Sequence, residues 1–333
     1  MGNHTRHKYT HARSAKKLRR RLFISLFCVS AIVLGYGISS LGKNTSAPPT
    51  ETTTLQTAAL VEDMQLAWPV VGQAAIGSVE NGLIARSSDN EEPRPTASMA
   101  KVITALAIME KQPFKLGQTG QTYTLTAKDV ANYRMYVAKN GSVMPVYEGM
   151  ILTQYQALQA MLIASSNNIA DTLVERTFGS KEAYIVYAQN MLKRMGLSKT
   201  TVVDASGYNP ATVSTPSELI TIGITALKNP VIADIVAQPQ AQVPGAGTLK
   251  NTNELLGTDG ALGIKTGTTN EAGSCLLFAA RYETGDGRKI TIVGVIMGDT
   301  DATQLFDDSR QLLTSAKQSF EEKTKNKEAH VLE

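Results

Sequence analysis

The chain has 333 residues, of which 42% are hydrophobic and 19% charged, with a formal net charge of +4; these are the proportions of a globular chain and exclude a wholly disordered one. The positive excess is confined to one end: Arg6, Lys8, Arg13, Lys16, Lys17, Arg19, Arg20 and Arg21 precede Leu22, and no acidic residue occurs before Glu51. The remainder is close to neutral, which argues against a nucleic-acid partner, because a basic terminus is not a binding face. His4, His7 and His11 lie in the basic segment and His330 near the end, so the body of the chain has no histidine. A Ser-His-Asp triad, a Cys-His pair and a His-rich zinc site are excluded there. Cys28 sits in an apolar run and Cys275 in a predicted strand, so neither a disulfide nor a cysteine-based metal site is expected, and no cofactor is called for.

In chain order, residues 1–21 form the basic segment and residues 22–41 (LFISLFCVSAIVLGYGISSL) an apolar run. About 20 such residues span a bilayer as a helix. The preceding Arg19–Arg21 predict a cytoplasmic N-terminus with the rest of the chain outside the membrane. A cleaved signal peptide is the competing reading, but the apolar run is long and no A-x-A site follows. Residues 42–66, rich in Thr, Ser, Ala and Pro, have linker composition. The folded domain is expected over 67–320, followed by a charged tail, 321–333.

Within that domain, residues 73–79 and 83–88 read as a hairpin about Glu80-Asn81-Gly82. Val102, Ile103, Leu106, Ala107 and Met109 recur at helical spacing after Ser98. Residues 153–178 read as helical with a break near Ser165–Asn168, and 181–195 and 216–227 as further helices, the last capped by Ser214 or Thr215. Residues 273–282, the turn 284–287 and 289–298 predict a second hairpin, and 301–320 a final helix. Strands at both ends of the chain with helices between predict an α+β fold built on one antiparallel sheet.

Three short motifs carry the chemistry: Ser98-Met99-Ala100-Lys101, Ser165-Ser166-Asn167 and Lys265-Thr266-Gly267. Singly they are weak, since S-x-x-K also occurs at Ser14–Lys17 and Ser40–Lys43, and S-x-N at Ser88–Asn90 and Ser166–Asn168. Ser98 differs from the decoys by opening a predicted helix, where backbone N–H groups and the macrodipole favour a developing alkoxide. Residues i and i+3 share a helix face, so Lys101 reaches the Ser98 hydroxyl. A serine needs a base, and without histidine a lysine serves if burial or a second cation lowers its pKa; Lys265 is the candidate second cation. The bland alternatives are a lysine with its stem on a half-buried helix, a polar turn at Asn167 and Asn168, and an ordinary strand-to-turn step at Lys265.

These motifs in this order resemble the signature of penicillin-binding proteins and class A β-lactamases. RPTASMAKVITAL (94–106), MLIASSNNIADTL (161–173), DASGYNP with STPSEL (204–219), NTNELLG (251–257) and GIKTGTTNEAGSCL (263–276) resemble one branch, the D-alanyl-D-alanine carboxypeptidases among the low-molecular-mass penicillin-binding proteins. The resemblance covers roughly residues 73–315. It implies a sheet of about five antiparallel strands with helices on both faces, plus an all-helical subdomain. It implies a serine peptidase that removes the terminal D-alanine of peptidoglycan stem peptides, with β-lactams as covalent inhibitors and residues 67–320 as the catalytic domain. Ser98 would be acylated, with Lys101 as its base. Ser165 would relay a proton to the leaving D-alanine, and Asn167 would bind the substrate amide. Lys265, Thr266 and Thr268 would hold the terminal carboxylate, Gly267 would let the substrate backbone approach, and the N–H groups of Ser98 and Thr268 would form an oxyanion hole.

Two departures from the family pattern stand out. Leu305 stands at the place where many relatives carry an arginine near the carboxylate site, and the β-rich C-terminal domain of many relatives is not expected here. Alternatives on the same scaffold are a D,D-endopeptidase, a non-catalytic membrane-tethered peptidoglycan-binding protein and a class A β-lactamase. The last needs a glutamate-directed water in an E-x-x-L-N context, which Glu175, Glu182, Glu218 and Glu254 all lack.

Overall fold

The computed structural model describes residues 64–331, with side chains to residue 322. The basic segment, the expected membrane span 22–41 and most of the linker lie outside the described residues. In chain order the elements are β1 (Gln73–Ser78), β2 (Gly82–Arg86), β3 (Arg94–Pro95), a 3-10 turn (Ala97–Met99), α1 (Ala100–Lys111), β4 (Thr122–Thr124), α2 (Ala127–Ala138), β5 (Ile151–Thr153), α3 (Gln154–Leu162) and α4 (Asn167–Phe178). They continue with α5 (Lys181–Arg194), β6 (Val213–Ser214), α6 (Pro216–Lys228), α7 (Pro230–Val236), β7 (Gln240–Val243), β8 (Gly247–Lys250), β9 (Ala261–Thr269), β10 (Gly273–Glu283), β11 (Lys289–Asp299) and α8 (Ala302–Val331).

The main sheet has five antiparallel strands in the order β2-β1-β11-β10-β9. Both predicted hairpins are present, and the N-terminal one joins the C-terminal one through β1 and β11, with Gln73 opposite Met297. Period-2 alternation divides each strand between two cores. Ala75, Cys275, Leu277, Ala279, Val293 and Val295 face the larger core with α1 and α6. Ile76, Leu276, Phe278, Ala280, Ile292 and Ile296 face the smaller core with α8. Helices therefore cover both faces.

Helix α1 runs through the larger core, and every residue from Ala100 to Met109 is buried, Lys101 and Thr104 included. A helix apolar almost all round is an interior one, so the two polar side chains must be satisfied by protein. The break expected near Ser165–Asn168 separates α3 from α4, and Asn167 opens the second helix.

Three differences from the sequence reading have physical causes. Helix α2 was not anticipated, because few of its side chains are buried; a Thr126–Asp129 capping box defines its start instead. The folded part begins before residue 67: Met64, Leu66 and Trp68 pack on the smaller core, and Ala67 N donates to Ser315 Oγ at 2.9 Å. Helix α8 continues past residue 320 through the expected charged tail to Val331, a stretch of Glu and Lys with high helix propensity.

Candidate active site

The turn that carries Ser98 is clamped from three sides. Ala97 adopts φ +44, a strained conformation for a residue with a Cβ, which persists only where the surroundings impose it. Thr96 N donates to Thr212 O at 3.0 Å, while Arg94–Pro95 pairs with Val213–Ser214. A Cβ on Gly207 would come 1.8 Å from Ala97 O, and one on Gly267 would come 2.9 Å from Ser98 N. Ser98 itself is half-buried in the 3-10 turn, and the α-helix proper starts two residues later, at Ala100.

Lys101 follows one turn on, fully buried, with Nζ 2.8 Å from Ser98 Oγ. The same nitrogen donates to Asn167 Oδ1 at 2.7 Å and to Ser206 O at 2.9 Å. A neutral amine has two N–H donors and one lone pair. An ammonium donates to all three oxygens; once neutral, the amine keeps donors for Asn167 Oδ1 and Ser206 O and has its lone pair for the Ser98 hydroxyl. Burial, followed by the Lys265 cation, holds this amine well below the usual lysine range, against the opposing pull of Asp204 and Asp171.

Asn167 is buried at the head of α4, and its N–H donates to Ser142 O at 2.8 Å. Asn168 turns the other way: its Oδ1 accepts from Met144 N and its Nδ2 donates to Met144 O, a purely structural clasp on the 141–144 loop. Ser165 has φ +58 and is 5% exposed in the break before α4. It is placed beside Asn167 in sequence, yet no hydrogen bond joins it to Ser98 or Lys101 among the described residues.

Strand β9 forms one edge of the sheet, opposite β2, and carries the third motif. Lys265 is 1% exposed, donates to Thr266 O at 3.0 Å, and is pushed by burial down to about 7. Thr266 Oγ1 meets Thr252 Oγ1 at 2.5 Å. Gly267 also lets the Ser98 turn pack closely on β9, since a Cβ there would meet Ser98 N, Ala97 Cβ and Thr96 O. Thr268, next along, is exposed and lines a cleft of about 530 Å³ with Ser98, Asn167 and Tyr208, while Lys139 and Glu271 bring opposite charges to it. Lys265 and Ser165 are not among the residues lining that cleft. Leu305 is buried beside Phe306 in the smaller core.

Sequence reasoning missed the loop that closes the site. Asp204 accepts from Gly207 N at 3.1 Å, Thr212 Oγ1 at 2.6 Å, Ser206 Oγ at 2.9 Å and Tyr208 N at 2.9 Å. That bundle of bonds presents Ser206 O to Lys101. Thr104 Oγ1, one turn past Lys101, donates to Ala205 O at 2.7 Å and fastens the loop to α1. The stretch DASGYNP carried the signal, an Asp three residues before a Gly at φ +71.

The sequence profile described as D-alanyl-D-alanine carboxypeptidase matches residues 72–300. D-alanyl-D-alanine carboxypeptidase DacB2 of Mycobacterium tuberculosis is 28% identical over 224 residues, covering 65% of this chain and 72% of that protein. The DD-transpeptidase of Streptomyces strain K15 shares the fold with a TM-score of 0.66 at 24% identity, over 74% of this chain and 98% of that one. Penicillin-binding protein D2 of Listeria monocytogenes, solved in its ampicillin-bound form, matches with a TM-score of 0.59 at 25% identity, over 76% of this chain and 98% of that one. The profile spans more than half of the sequence and the site holds all three motifs of its resemblance, so this chain belongs to the D-alanyl-D-alanine carboxypeptidase family.

Proposed function

We propose that the chain is a serine-type D-alanyl-D-alanine carboxypeptidase acting on peptidoglycan stem peptides through an acyl-enzyme on Ser98. One observation carries the assignment of nucleophile and base: buried Lys101 Nζ lies 2.8 Å from Ser98 Oγ and is held there by Asn167 Oδ1 and Ser206 O. In the first step Ser98 Oγ attacks the carbonyl carbon between the two D-alanines, and its proton passes to Lys101. The N–H groups of Ser98 and Thr268 receive the oxyanion. The C–N bond then breaks, Ser165 relays a proton to the leaving amine, and water hydrolyses the ester. Asn167 holds the substrate amide. With Leu305 in the core, the terminal carboxylate rests on Lys265, Thr266 and Thr268, where charge-assisted hydrogen bonds suit it.

β-Lactams would acylate the same serine. The glutamates between the second and third motifs do not line the cleft, and Glu218 is occupied by Lys199 N and Thr200 Oγ1, which supports a slowly hydrolysed acyl-enzyme rather than a β-lactamase. Residues 22–41 would anchor the protein in the cell membrane, N-terminus inside and catalytic domain outside, a reading that stands on the apolar run and its basic flank.

The test is covalent labelling of the full chain by a fluorescent penicillin, beside Ser98→Ala. Label on the wild type alone, persisting after the free penicillin is removed, is expected; an unlabelled wild type defeats the acyl-enzyme. Release of D-alanine from a pentapeptide supports the carboxypeptidase, whereas cleavage confined to a cross-linked dimer would make it an endopeptidase. Membrane fractionation with protease treatment of intact cells checks the anchor and its orientation.

A further inference from the structure

One buried ionisable group near Lys101 has no part in the chemistry above. Asp171 is 5% exposed and lies on α4 one turn beyond Asn167. Residues four apart share a helix face, so Asp171 is on the side of α4 from which Asn167 reaches Lys101. Its Oδ2 accepts a hydrogen bond from Tyr136 Oη at 3.0 Å, while its Oδ1 is buried without a hydrogen-bond partner among the described residues. Leaving a buried acceptor unsatisfied costs stability. A pair that served packing alone would lose nothing as apolar side chains, so the arrangement points to a use for the charge.

Tyr136 connects that charge to the cleft. Its carbonyl accepts from Gly141 N at 2.8 Å, at the start of the wall that includes Asn140, Gly141 and Ser142. Its ring meets Tyr208 edge-on, with centroids 5.6 Å apart. Tyr208 Oη in turn donates to Lys139 O at 3.0 Å. The tyrosine therefore ties α2, the cleft wall and the loop that presents Ser206 O to Lys101.

We propose that Asp171, held by Tyr136, is a positioning residue for acylation whose carboxylate biases Lys101 toward its ammonium form and so sets the pH range in which the amine accepts the Ser98 proton. This rests on the reading of Ser98 as nucleophile and Lys101 as base. The surrounding charges agree in sign. Asp204 and Asp171 favour a charged Lys101, and Lys265 on β9 opposes it. Burial raises the Asp171 carboxyl; Lys181 at the head of α5, the Tyr136 bond and Lys101 pull it back, and Asp204 pushes it up further. Removing the Asp171 charge therefore leaves Lys101 neutral to lower pH.

The experiment is the rate of labelling by a fluorescent penicillin between about pH 5 and 9, on the full chain and on Asp171→Asn and Tyr136→Phe. In Asp171→Asn, which keeps the shape and an acceptor for Tyr136, the acid limb is expected to move down by about half a pH unit or more. Tyr136→Phe keeps the ring but lets Asp171 hold its proton to higher pH, so its limb is expected to move the same way. A limb that superimposes on the wild type, or moves up, overturns the proposal. Should thermal unfolding show Asp171→Asn to be misfolded, Tyr136→Phe decides by the same criterion. A wild type that takes no label defeats the acyl-enzyme reading instead, whereas a labelled wild type with unshifted variants defeats only the role of Asp171.

Discussion

Two buried lysines do opposite work at the residue scale. Lys101 must be neutral to take a proton, and burial with the Lys265 cation favours that state. Lys101→Arg tests this, because a guanidinium does not deprotonate in a protein. Labelling by penicillin is expected to fall about 10²–10⁴-fold, the span typical of a lost general base. Lys265 must be charged to hold a carboxylate, yet burial lowers it to about 7. Affinity for a peptide with a free C-terminal carboxylate is therefore expected to fall as pH rises through about 7. The same peptide as a C-terminal amide should lack that dependence, and KM measured for both against pH checks it. The stability sign is the reverse. The unfolded chain keeps this lysine protonated up to its ordinary value of 10.5, whereas the folded one releases the proton near 7. Between those values the unfolded state binds more protons, so folding stability rises with pH. The cost of burying the ammonium is full below about 7 and gone above 10.5. Lys265→Met is expected to flatten this rise by about 4 kcal/mol in denaturant titrations at the two ends of the window.

At the scale of elements, glycines set how closely strands and turns approach. Gly267 and Gly294 make contrasting cases. A methyl on Gly267 would press on Ser98 N at 2.9 Å, Ala97 Cβ at 3.0 Å and Thr96 O at 3.0 Å. Gly267→Ala is expected to displace the nucleophile turn from β9 and slow labelling about 10²-fold, with little change in melting temperature. Gly294 faces Phe278 across the β10–β11 ladder, and a Cβ there would come 2.1 Å from the ring. Gly294→Ala overpacks the smaller core and is expected to cost about 1–3 kcal/mol, with labelling unchanged where the variant is folded. Calorimetry and labelling rates on both variants separate the two effects. Asp204 shows the same logic in a loop: one carboxylate gathers the N–H groups of Gly207 and Tyr208 with two hydroxyls, and the Ser206 carbonyl then meets the Lys101 amine.

For the whole molecule, the consequential fact is that the sheet joins the two ends of the described chain. Strand β1 has β11 beside it, so the central sheet is complete only when both hairpins have docked, and its contacts are distant in sequence. The N-terminal strap adds to this closure, since Met64, Leu66 and Trp68 cover the core beneath α8. Removing residues 1–69 is expected to destabilise the domain by about 2–4 kcal/mol relative to removing residues 1–63, from lost apolar burial. Buried residues of α8 end near Phe320. Deleting 323–333 is accordingly expected to leave the urea midpoint unchanged, and urea unfolding of the three truncated chains checks both statements.

The family, the pairing of Ser98 with Lys101, and the two hairpins were legible in the sequence because each depends on residues close together along the chain. Ser98 and Lys101 are one helical turn apart, and a core without histidine leaves lysine as the base. The three motifs together with the stretches that flank them then point to one family. Helix α2 was hidden because it lies on the surface and its apolar period is faint. The strap at 64–68 was hidden because its partners on α8 are some 250 residues away. Only the tertiary structure decided what surrounds the amine of Lys101. Asn167 and Ser206 are 66 and 105 residues away in sequence; Asp171 shares the helix of Asn167, Asp204 the loop of Ser206, and Tyr136 comes from a third segment, α2. A short motif names the reacting atoms, whereas the state of a buried proton depends on every charge and oxygen that folding brings within reach.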